Sequence, residues 1–245
     1  MKKLVSVLAI AILSLSFAQA QSADEVIDAY FEVTGGKEAW MKIESVVMTG
    51  KMQPQPGIEL PLTITMKKPN MVYSVAEFQG KKIVTAYDGT VGWMINPLMM
   101  ATEPTKLPEE QLEQFEDQRI EDNFLNYAEK GHSVSYEGTE NIEGTECHKI
   151  KLVKKDGKEE FHFFDTDSGV KVMQRTFMQE GPSKGQAIET FMSEYDEVAG
   201  VMMPFSMVTK LNGTVGFQFA IETVEANVKI DDSLFAFPEE KSEGK

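Results

Sequence analysis

The chain has 245 residues and a formal net charge of −15, with 39 Asp and Glu against 24 Lys and Arg. Because an acidic chain of this kind is repelled by nucleic acid and by anionic lipid, the charge excludes a role in coating either. The single cysteine, Cys147, cannot form an internal disulfide, and 15 Met and 15 Phe stand against only 3 His. This composition favours an extensive apolar surface over a disulfide scaffold or a His-based catalyst.

The N-terminus predicts a secretory signal peptide in residues 1–20. Lys2 and Lys3 precede an apolar stretch from Leu4 to Phe17, and Ala18-Gln19-Ala20 forms a cleavage site,. An uncleaved anchor is the alternative, although the stretch is short for a membrane span. No cysteine follows it, so we expect residues 21–245 to be an exported, soluble and single domain without an N-terminal lipid. Loss of the two lysines changes the formal net charge from −15 to −17.

The mature chain begins with a predicted helix over Ala23 to Thr34, which places Val26, Ile27, Tyr30 and Phe31 on one face,. Gly35-Gly36 ends it, and a short helix is expected from Lys37 to Met41. Period-2 alternation of apolar residues then predicts strands, one of them carrying Leu60, Leu62, Ile64 and Met66 on one face,.

Turn dipeptides predict the registers of these strands. Two-residue loops at Gln79-Gly80 and Asp88-Gly89 place Tyr73 opposite Ala86 and Val84 opposite Trp93,. The face with Tyr73, Val75 and Trp93 is the more apolar, so it is assigned to the interior.

Two later hairpins follow the same logic. A two-residue loop at Asp156-Gly157 sets Ile150 opposite Phe163 and Leu152 opposite Phe161, with His162 on the outer face,. At Asn212-Gly213 either a two-residue or a three-residue loop fits. The three-residue loop, which includes Thr214, is preferred because it places the apolar residues of both strands on one face, namely Phe205, Met207, Phe217, Phe219 and Ile221,.

The middle of the chain predicts a helical segment from Pro108 to Lys130, over one helix or two, preceded by an apolar loop, Leu98-Met99-Met100,. Its acidic residues, which include Glu121 and Asp122, are expected to face solvent or, alternatively, a docking partner. With about eleven or twelve antiparallel strands and short hairpins, the fold is expected to be mainly β, in a curved or barrel-like sheet.

Candidate catalytic groups are few. Asp165 to Gly169 lacks the fifth and twelfth ligands of a calcium loop and predicts a hairpin turn,. His148 and Asp165 are a candidate acid–base pair, but no nucleophile or metal set accompanies them, so a structural role is preferred. We expect no enzymatic activity, no cofactor and no metal. Arg175 alternates with Met173 and Phe177, and the pattern leaves open whether it faces inward or solvent.

Several short motifs together carry a family resemblance. They are Val26-Ile27-Asp28-Ala29-Tyr30 with Thr34-Gly35-Gly36-Lys37-Glu38-Ala39, Tyr87-Asp88-Gly89 with Gly92-Trp93-Met94, Gly200-Val201-Met202-Met203-Pro204-Phe205, and Asn227-Val228-Lys229-Ile230-Asp231-Asp232 with Phe235. Across nearly the whole mature length the chain resembles the LolA-type outer-membrane lipoprotein carrier proteins. The missing N-terminal lipid site matches the soluble carrier rather than LolB, the anchored acceptor.

The resemblance implies a half-open antiparallel β-barrel with a helical lid. It also implies a periplasmic, monomeric carrier that holds lipoprotein acyl chains in a hydrophobic concavity. Such a carrier takes its cargo from an inner-membrane exporter and passes it to an outer-membrane acceptor. Two other functions stay open: a periplasmic module of the same fold that senses lipid or lipoprotein, and a hydrolase with an acyl pocket.

The expected lipid-binding cavity combines the apolar strand faces: Leu60, Leu62, Ile64, Met66, Tyr73, Val75, Trp93, Ile150, Leu152, Phe161, Phe163, Phe205, Met207, Phe217 and Phe219. The expected lid and rim comprise Met99, Met100, Leu112, Phe115, Ile120 and Phe124. Members of the family carry an inward Arg that latches the lid, and Arg175 is the candidate for that latch, although no motif aligns it.

Overall fold

The strands form one antiparallel sheet. The structure, a computed structural model, describes residues 21–55, 57–112, 115 and 118–238, so the predicted signal peptide lies outside the described residues. Two helices, α1 (Ala23–Val33) and α2 (Lys37–Met41), precede the strands. The strands are β1 Ser45–Gln55, β2 Ile58–Lys67, β3 Met71–Phe78, β4 Lys81–Tyr87, β5 Gly92–Asn96, β6 Ala101–Lys106, β7 Ser133–Ile142, β8 Thr145–Val153, β9 Glu159–Asp165, β10 Lys171–Phe177, β11 Ala187–Val198, β12 Val201–Leu211 and β13 Thr214–Ala226.

The sheet order is β6-β5-β4-β3-β2-β1-β13-β12-β11-β10-β9-β8-β7. Two meanders, β1–β6 and β7–β13, therefore join where β1 pairs with β13, and the segment 107–132 connects the two edge strands. The result is a half-open antiparallel β-barrel. The predicted strand count was low because β6 is mostly exposed on both faces and lacks apolar alternation.

We call the face of the sheet that packs against helix α1 the inner face, and the opposite face the outer face. Ser22 accepts from the Glu25 N–H while the Glu25 carboxylate accepts from the Ser22 N–H, which caps the N-terminus,. The buried side of α1, with Ile27 and Phe31, packs on Ile150 and Leu152 of β8 in the main core. Both predicted helices are confirmed.

The segment from Pro108 to Lys130 is not the predicted long helix. Its described residues comprise a 3-10 turn, Glu109–Gln111, a helical residue at Phe115 and irregular turns from residue 118 on, while 113, 114, 116 and 117 lie outside the described residues. The Asp122 side chain accepts from the Phe124 N–H at 3.0 Å, and Asn126 has φ of 52°. Such local side-chain bonds and left-handed residues compete with helix formation.

The assignment of Tyr73, Val75 and Trp93 to the interior was wrong. Tyr73 pairs with Ala86 as predicted, but Trp93 pairs with Ala86 and not Val84, because the connection after β4 has two more residues than expected. Because two extra residues shift the pairing by an even number, Tyr73, Val75 and Trp93 still share one face. That face is, however, the outer one. The C-terminal segment covers it: Phe237 packs there and the Phe235 carbonyl accepts from the Trp93 indole at 2.9 Å.

The β8–β9 register differs from the prediction by one residue. Ile150 lies opposite His162, whereas Phe161 and Phe163 lie opposite Lys151 and Lys149 on the outer face. The loop has three residues, 155–157, because the Lys154 N–H donates to the Lys158 carbonyl. One extra residue moves every side chain of the following strand to the other face.

The β12–β13 hairpin has the predicted strand pairing but a different loop. The loop Asn212-Gly213 has two residues, since Leu211 pairs with Thr214, but a register shift follows between Thr209 and Lys210. Beyond that bulge Met207 lies opposite Phe219 and Thr209 opposite Phe217. Phe205, Met207, Phe217 and Phe219 therefore share the inner face, as expected.

Gly50 lies where the two meanders pair and leaves no room for a side chain. A Cβ on Gly50 would lie 2.1 Å from the Ala220 carbonyl oxygen, whereas one on Gly216 would lie 3.6 Å from the nearest atom, the Thr209 oxygen. We expect Gly50→Ala to lower the free energy of unfolding by about 1–3 kcal/mol, because the strands must separate. Gly216→Ala is the control and should change it by less than about 1 kcal/mol. Urea unfolding of both variants measures this, and equal midpoints would contradict it.

Candidate functional site

An apolar cavity of about 380 Å³ lies between the inner face and residues 118–122. Ile64, Met66 and Met207 contribute from the sheet, Tyr30 and Trp40 from the helices. Five of its lining residues are methionines, the others being Met48, Met192 and Met203. Methionine is unbranched and polarizable, and so adapts to irregular apolar ligands. The volume is at the lower end of the roughly 300–1,000 Å³ of small-molecule sites.

A buried ion pair joins residues 118–124, here called the covering segment, to the sheet. Asp122, on that segment, pairs with Lys171 of β10, and both side chains are less than a tenth exposed. The Tyr30 hydroxyl donates to Asp122 Oδ2 at 3.3 Å, and the Tyr195 hydroxyl donates to the Lys171 carbonyl at 2.7 Å. Lys171 Nζ also lies 5.8 Å from the Phe124 ring centre. Helix, sheet and segment thus meet at one charge pair beside the cavity.

The protonation states of this cluster follow from its contacts. Burial alone would raise the pKa of Asp122, but the neighbouring Lys171 ammonium outweighs it and holds that pKa below its usual value. Burial and the Asp122 charge raise the pKa of Tyr30 well above its usual value. At neutral pH Asp122 is therefore a carboxylate, and Tyr30 a neutral donor to it.

No family profile matches the chain, and no curated protein matches it by sequence. Solved structures match in fold. A DUF1329 family protein from Desulfovibrio piger has a TM-score of 0.59 at 13% identity, over 87% of this chain and 96% of its own. A LolA superfamily protein from Nitrosomonas europaea has a TM-score of 0.55 at 11% identity, over 89% and 98%. The chain has a LolA-like fold.

A third structure agrees with this description. A Vibrio parahaemolyticus domain assigned to the outer membrane lipoprotein-sorting proteins has a TM-score of 0.56 at 8% identity, over 86% of this chain and 94% of its own. None of the helices in the described part of the chain is long and apolar enough to cross a membrane.

The LolA-like fold brings together only some of the predicted cavity residues. Ile64, Met66 and Met207 line the cavity, and others extend the same inner face, namely Leu60, Leu62, Phe205, Phe219 and Phe217, the last of them 43% exposed. Ile150 and Leu152 are also on the inner face but are fully buried in the core with α1. The residues on the outer face are Tyr73, Val75, Trp93, Phe161 and Phe163.

The predicted lid residues make different contacts along the segment. Ile120 lines the cavity, and Phe124 is buried, with its ring centre 5.6 Å from that of Phe164. Phe115 stacks on Tyr87 at 5.4 Å. Leu112 packs where a Cβ on Gly92 would lie, which explains the glycine there. These contacts fasten the segment along the inner face.

The predicted rim residues Met99 and Met100 lie in the connection between β5 and β6. They are 70% and 91% exposed and do not line the cavity.

Arg175, the candidate latch, does not face the cavity. It lies on the outer face, where its guanidinium donates to Glu140 at 3.0 Å and Glu189 at 2.8 Å. Sequence reasoning missed Lys171 because a register shift between Lys171 and Met173 reverses the alternation. It missed Asp122 because that residue stands in an acidic run, which predicts contact with solvent or with a docking partner. A lysine among the apolar residues of a strand was the available signal.

The histidines form no acid–base pair with Asp165. His148 lies opposite Phe164 and its Nδ1 is 3.2 Å from the Tyr136 hydroxyl, while Asp165 accepts from Ser168 in the predicted hairpin turn. Among the described residues no group of three or more His, Cys, Asp and Glu side chains is placed to hold a metal.

His162 is buried on the inner face, with Nε2 3.1 Å from Glu160, which also pairs with Lys154. Burial lowers the pKa of His162 below its usual value. The ring is therefore assigned as neutral, with Nε2–H donating to the carboxylate and Nδ1 bare, and Nδ1 has no hydrogen-bond partner among the described residues,. Burial favours a higher pKa for Glu160, but its bonds to His162 and Lys154 lower that pKa to about 2.

Glu160 gives a pH-dependent prediction. Since its pKa of about 2 in the fold is below its ordinary value of 4.5, its stabilising effect is present above about pH 4.5 and is lost as the pH falls towards 2. We expect Glu160→Gln to lower the free energy of unfolding at pH 7 by on the order of 3 kcal/mol, and the difference to shrink at acid pH. Glu159→Gln, whose side chain is 50% exposed, is the control. Urea unfolding from pH 7 to 3 measures both, and a constant difference would refute the assignment.

Proposed function

We propose that this protein is a non-enzymatic periplasmic carrier that shields lipoprotein acyl chains on its inner face and passes them to an outer-membrane acceptor. The observation that carries the proposal is the methionine-rich cavity beneath residues 118–122. The walls are mainly apolar, the Asp122–Lys171 pair in them is bonded within itself, and the described residues hold no metal-binding group, all of which suits binding rather than chemistry. The similarity of the fold to a LolA superfamily protein supports the proposal.

The energetics of acyl-chain burial favour direct transfer. Each buried methylene contributes about 0.8 kcal/mol, so a sixteen-carbon chain contributes on the order of 10 kcal/mol. Release into water would be slow, and the cargo must therefore pass directly between apolar sites. An inner-membrane exporter as donor and an outer-membrane protein as acceptor would supply those sites.

Loading requires the covering segment to move, because the cavity is small for several acyl chains. The segment is held by contacts that can be exchanged: the Asp122–Lys171 pair, the Tyr127 hydroxyl on Asp24 at 2.6 Å, and Ile120 against the sheet. In the proposed mechanism Ile120 withdraws and acyl chains take its place against Met66 and Met207. The apolar surface then stays covered in both states.

Native mass spectrometry of the mature protein, purified from the periplasm of its own host, tests the proposal. We expect a monomer of residues 21–245, cleaved after residue 20, with a triacylated lipoprotein bound. Recovery of free phospholipid alone, or of no ligand, would overturn the lipoprotein assignment. A protein that stays in the cytoplasm would overturn the periplasmic assignment, and one that keeps residues 1–20 would overturn the predicted cleavage.

A further inference from the structure

A second cleft, of about 520 Å³, opens beside the apolar cavity and is strongly basic. Its lining residues are Arg119, Asn123, Lys130, His132, Lys154, Lys155 and Asp156. Four cationic side chains thus meet one acidic side chain, in a chain whose formal net charge is −15. Such a local reversal of charge concentrates anions at one place on an otherwise anion-repelling protein.

The cleft and the cavity share a wall. Arg119 lines both, and the residues that follow it divide between them: Ile120 and Asp122 line the cavity, while Asn123 lines the cleft. A ligand with an apolar and a charged end can therefore occupy both spaces across a single short stretch of chain.

Part of the positive charge in the cleft is not neutralised by the protein. Lys130 pairs with Glu121 at 3.1 Å, and Lys154 pairs with Glu160. Asp156, the acid of the cleft, pairs with Lys158 at 3.1 Å. In contrast, among the described residues Arg119 donates to the Pro69 carbonyl alone, at 3.5 Å, and Lys155 makes no ion pair there.

We propose that this cleft binds the phosphate group of an anionic amphiphile whose acyl chain lies in the apolar cavity. The inference rests on the proposed function for the acyl site alone: it places the amphiphile's acyl chain where the carrier holds its cargo, and it makes the amphiphile a further ligand of that site beside the lipoprotein. A guanidinium, an ammonium and an amide are the donors that a phosphate monoanion or diester needs. The shared wall at Arg119 favours a headgroup joined to an acyl chain over free phosphate.

The test compares two short-chain lipids that differ in their headgroup. Dioctanoyl phosphatidylglycerol and uncharged dioctanoylglycerol are titrated into residues 21–245 by isothermal calorimetry, with inorganic phosphate as a third probe. We expect the wild type to bind the anionic lipid about tenfold more tightly than the neutral one, and Arg119→Gln/Lys155→Gln to lose that preference. Lys155→Gln, at a residue that lines the cleft and not the cavity, should weaken the preference while keeping the affinity for dioctanoylglycerol. Lys81→Gln/Lys184→Gln, which removes two exposed lysines elsewhere, should keep the preference.

Each contrary result has a separate meaning. Equal binding of both lipids by the wild type overturns the headgroup site and leaves the proposed function standing. Phosphate binding as tight as that of the anionic lipid makes the cleft a free-phosphate site and also overturns the inference. Binding of neither lipid overturns the proposed function as well. If the double variant does not fold by circular dichroism, Lys155→Gln alone, at an exposed loop position, decides the result.

Discussion

Replacing Asp122 by Asn is expected to lower the free energy of unfolding by about 3–5 kcal/mol, because it leaves the Lys171 ammonium buried without its counter-ion. Lys171→Met should cost about as much, since it strands the carboxylate instead. The double variant Asp122→Asn/Lys171→Met removes both charges and should recover a large part of the loss. Urea unfolding at pH 7 of the wild type and the three variants measures the coupling.

The matched control for this cycle is Arg175→Met on the same strand. Arg175 pairs with Glu140 and Glu189, but on the outer face, where its side chain is 21% exposed. Partly exposed pairs contribute roughly 0–1 kcal/mol, so this loss should be much smaller. Additive effects of the two single changes at Asp122 and Lys171 would mean that they do not act as a pair.

Asp122→Asn should also make the covering segment more mobile. Asp122→Asn removes the charge pair that joins residues 118–124 to β10, so amide hydrogen exchange in that segment should quicken while exchange in β1 and β13 stays slow. Uniform acceleration across the sheet would show instead that the pair stabilises the whole fold and does not control the segment.

Met207→Trp is expected to weaken acyl binding strongly without unfolding the protein. Met207 lines the cavity, and an indole there would occupy space that an acyl chain needs, while the open volume accommodates the added atoms. We expect the affinity for a fluorescent fatty acid to fall by at least about tenfold, with a change in stability under about 1.5 kcal/mol. Probe displacement and urea unfolding together check this.

Met202→Trp is the control, because Met202 belongs to the same strand but alternates with Met203, which lines the cavity. It carries the same substitution on the opposite face and should bind the probe like the wild type. Unchanged affinity in Met207→Trp would locate the acyl chain elsewhere and remove the main support for the proposed carrier.

The strands and the positions of the turns between them could be predicted because period-2 alternation and turn dipeptides are local signals. Face assignments depended on loop lengths, and there one residue decided: the three-residue loop at 155–157 placed His162 inside and Phe161 outside. The prediction of the inner face for strands β3 to β5 was wrong for another reason. This region is apolar on both faces, since Tyr73 and Trp93 pack under the C-terminal segment and Val72 and Tyr87 under Phe115. Alternation alone cannot rank two such faces.

The candidate site was predictable as a surface but not as a set of contacts. Ile64, Met66, Met207 and Ile120 were found from apolar patterns. Asp122 and Lys171 were not, because a charge that is buried by one distant partner looks like any surface charge in sequence. Only the bulge after Lys171 and the irregular turn at Asp122 bring the two together, and neither has a strong local signal.

The join between β1 and β13 has a consequence for how the chain folds. Every other strand pair connects neighbours along the chain, whereas here the hydroxyls of Thr49 and Thr223, 174 residues apart, meet at 2.6 Å. The entropy cost of closing such a loop must be overcome before the pairing contributes to stability. Because a chain is made N-terminus first, β1 is complete long before β13 exists. Until then one edge of β1 has no partner, and a holding chaperone would have to protect it from pairing with other chains.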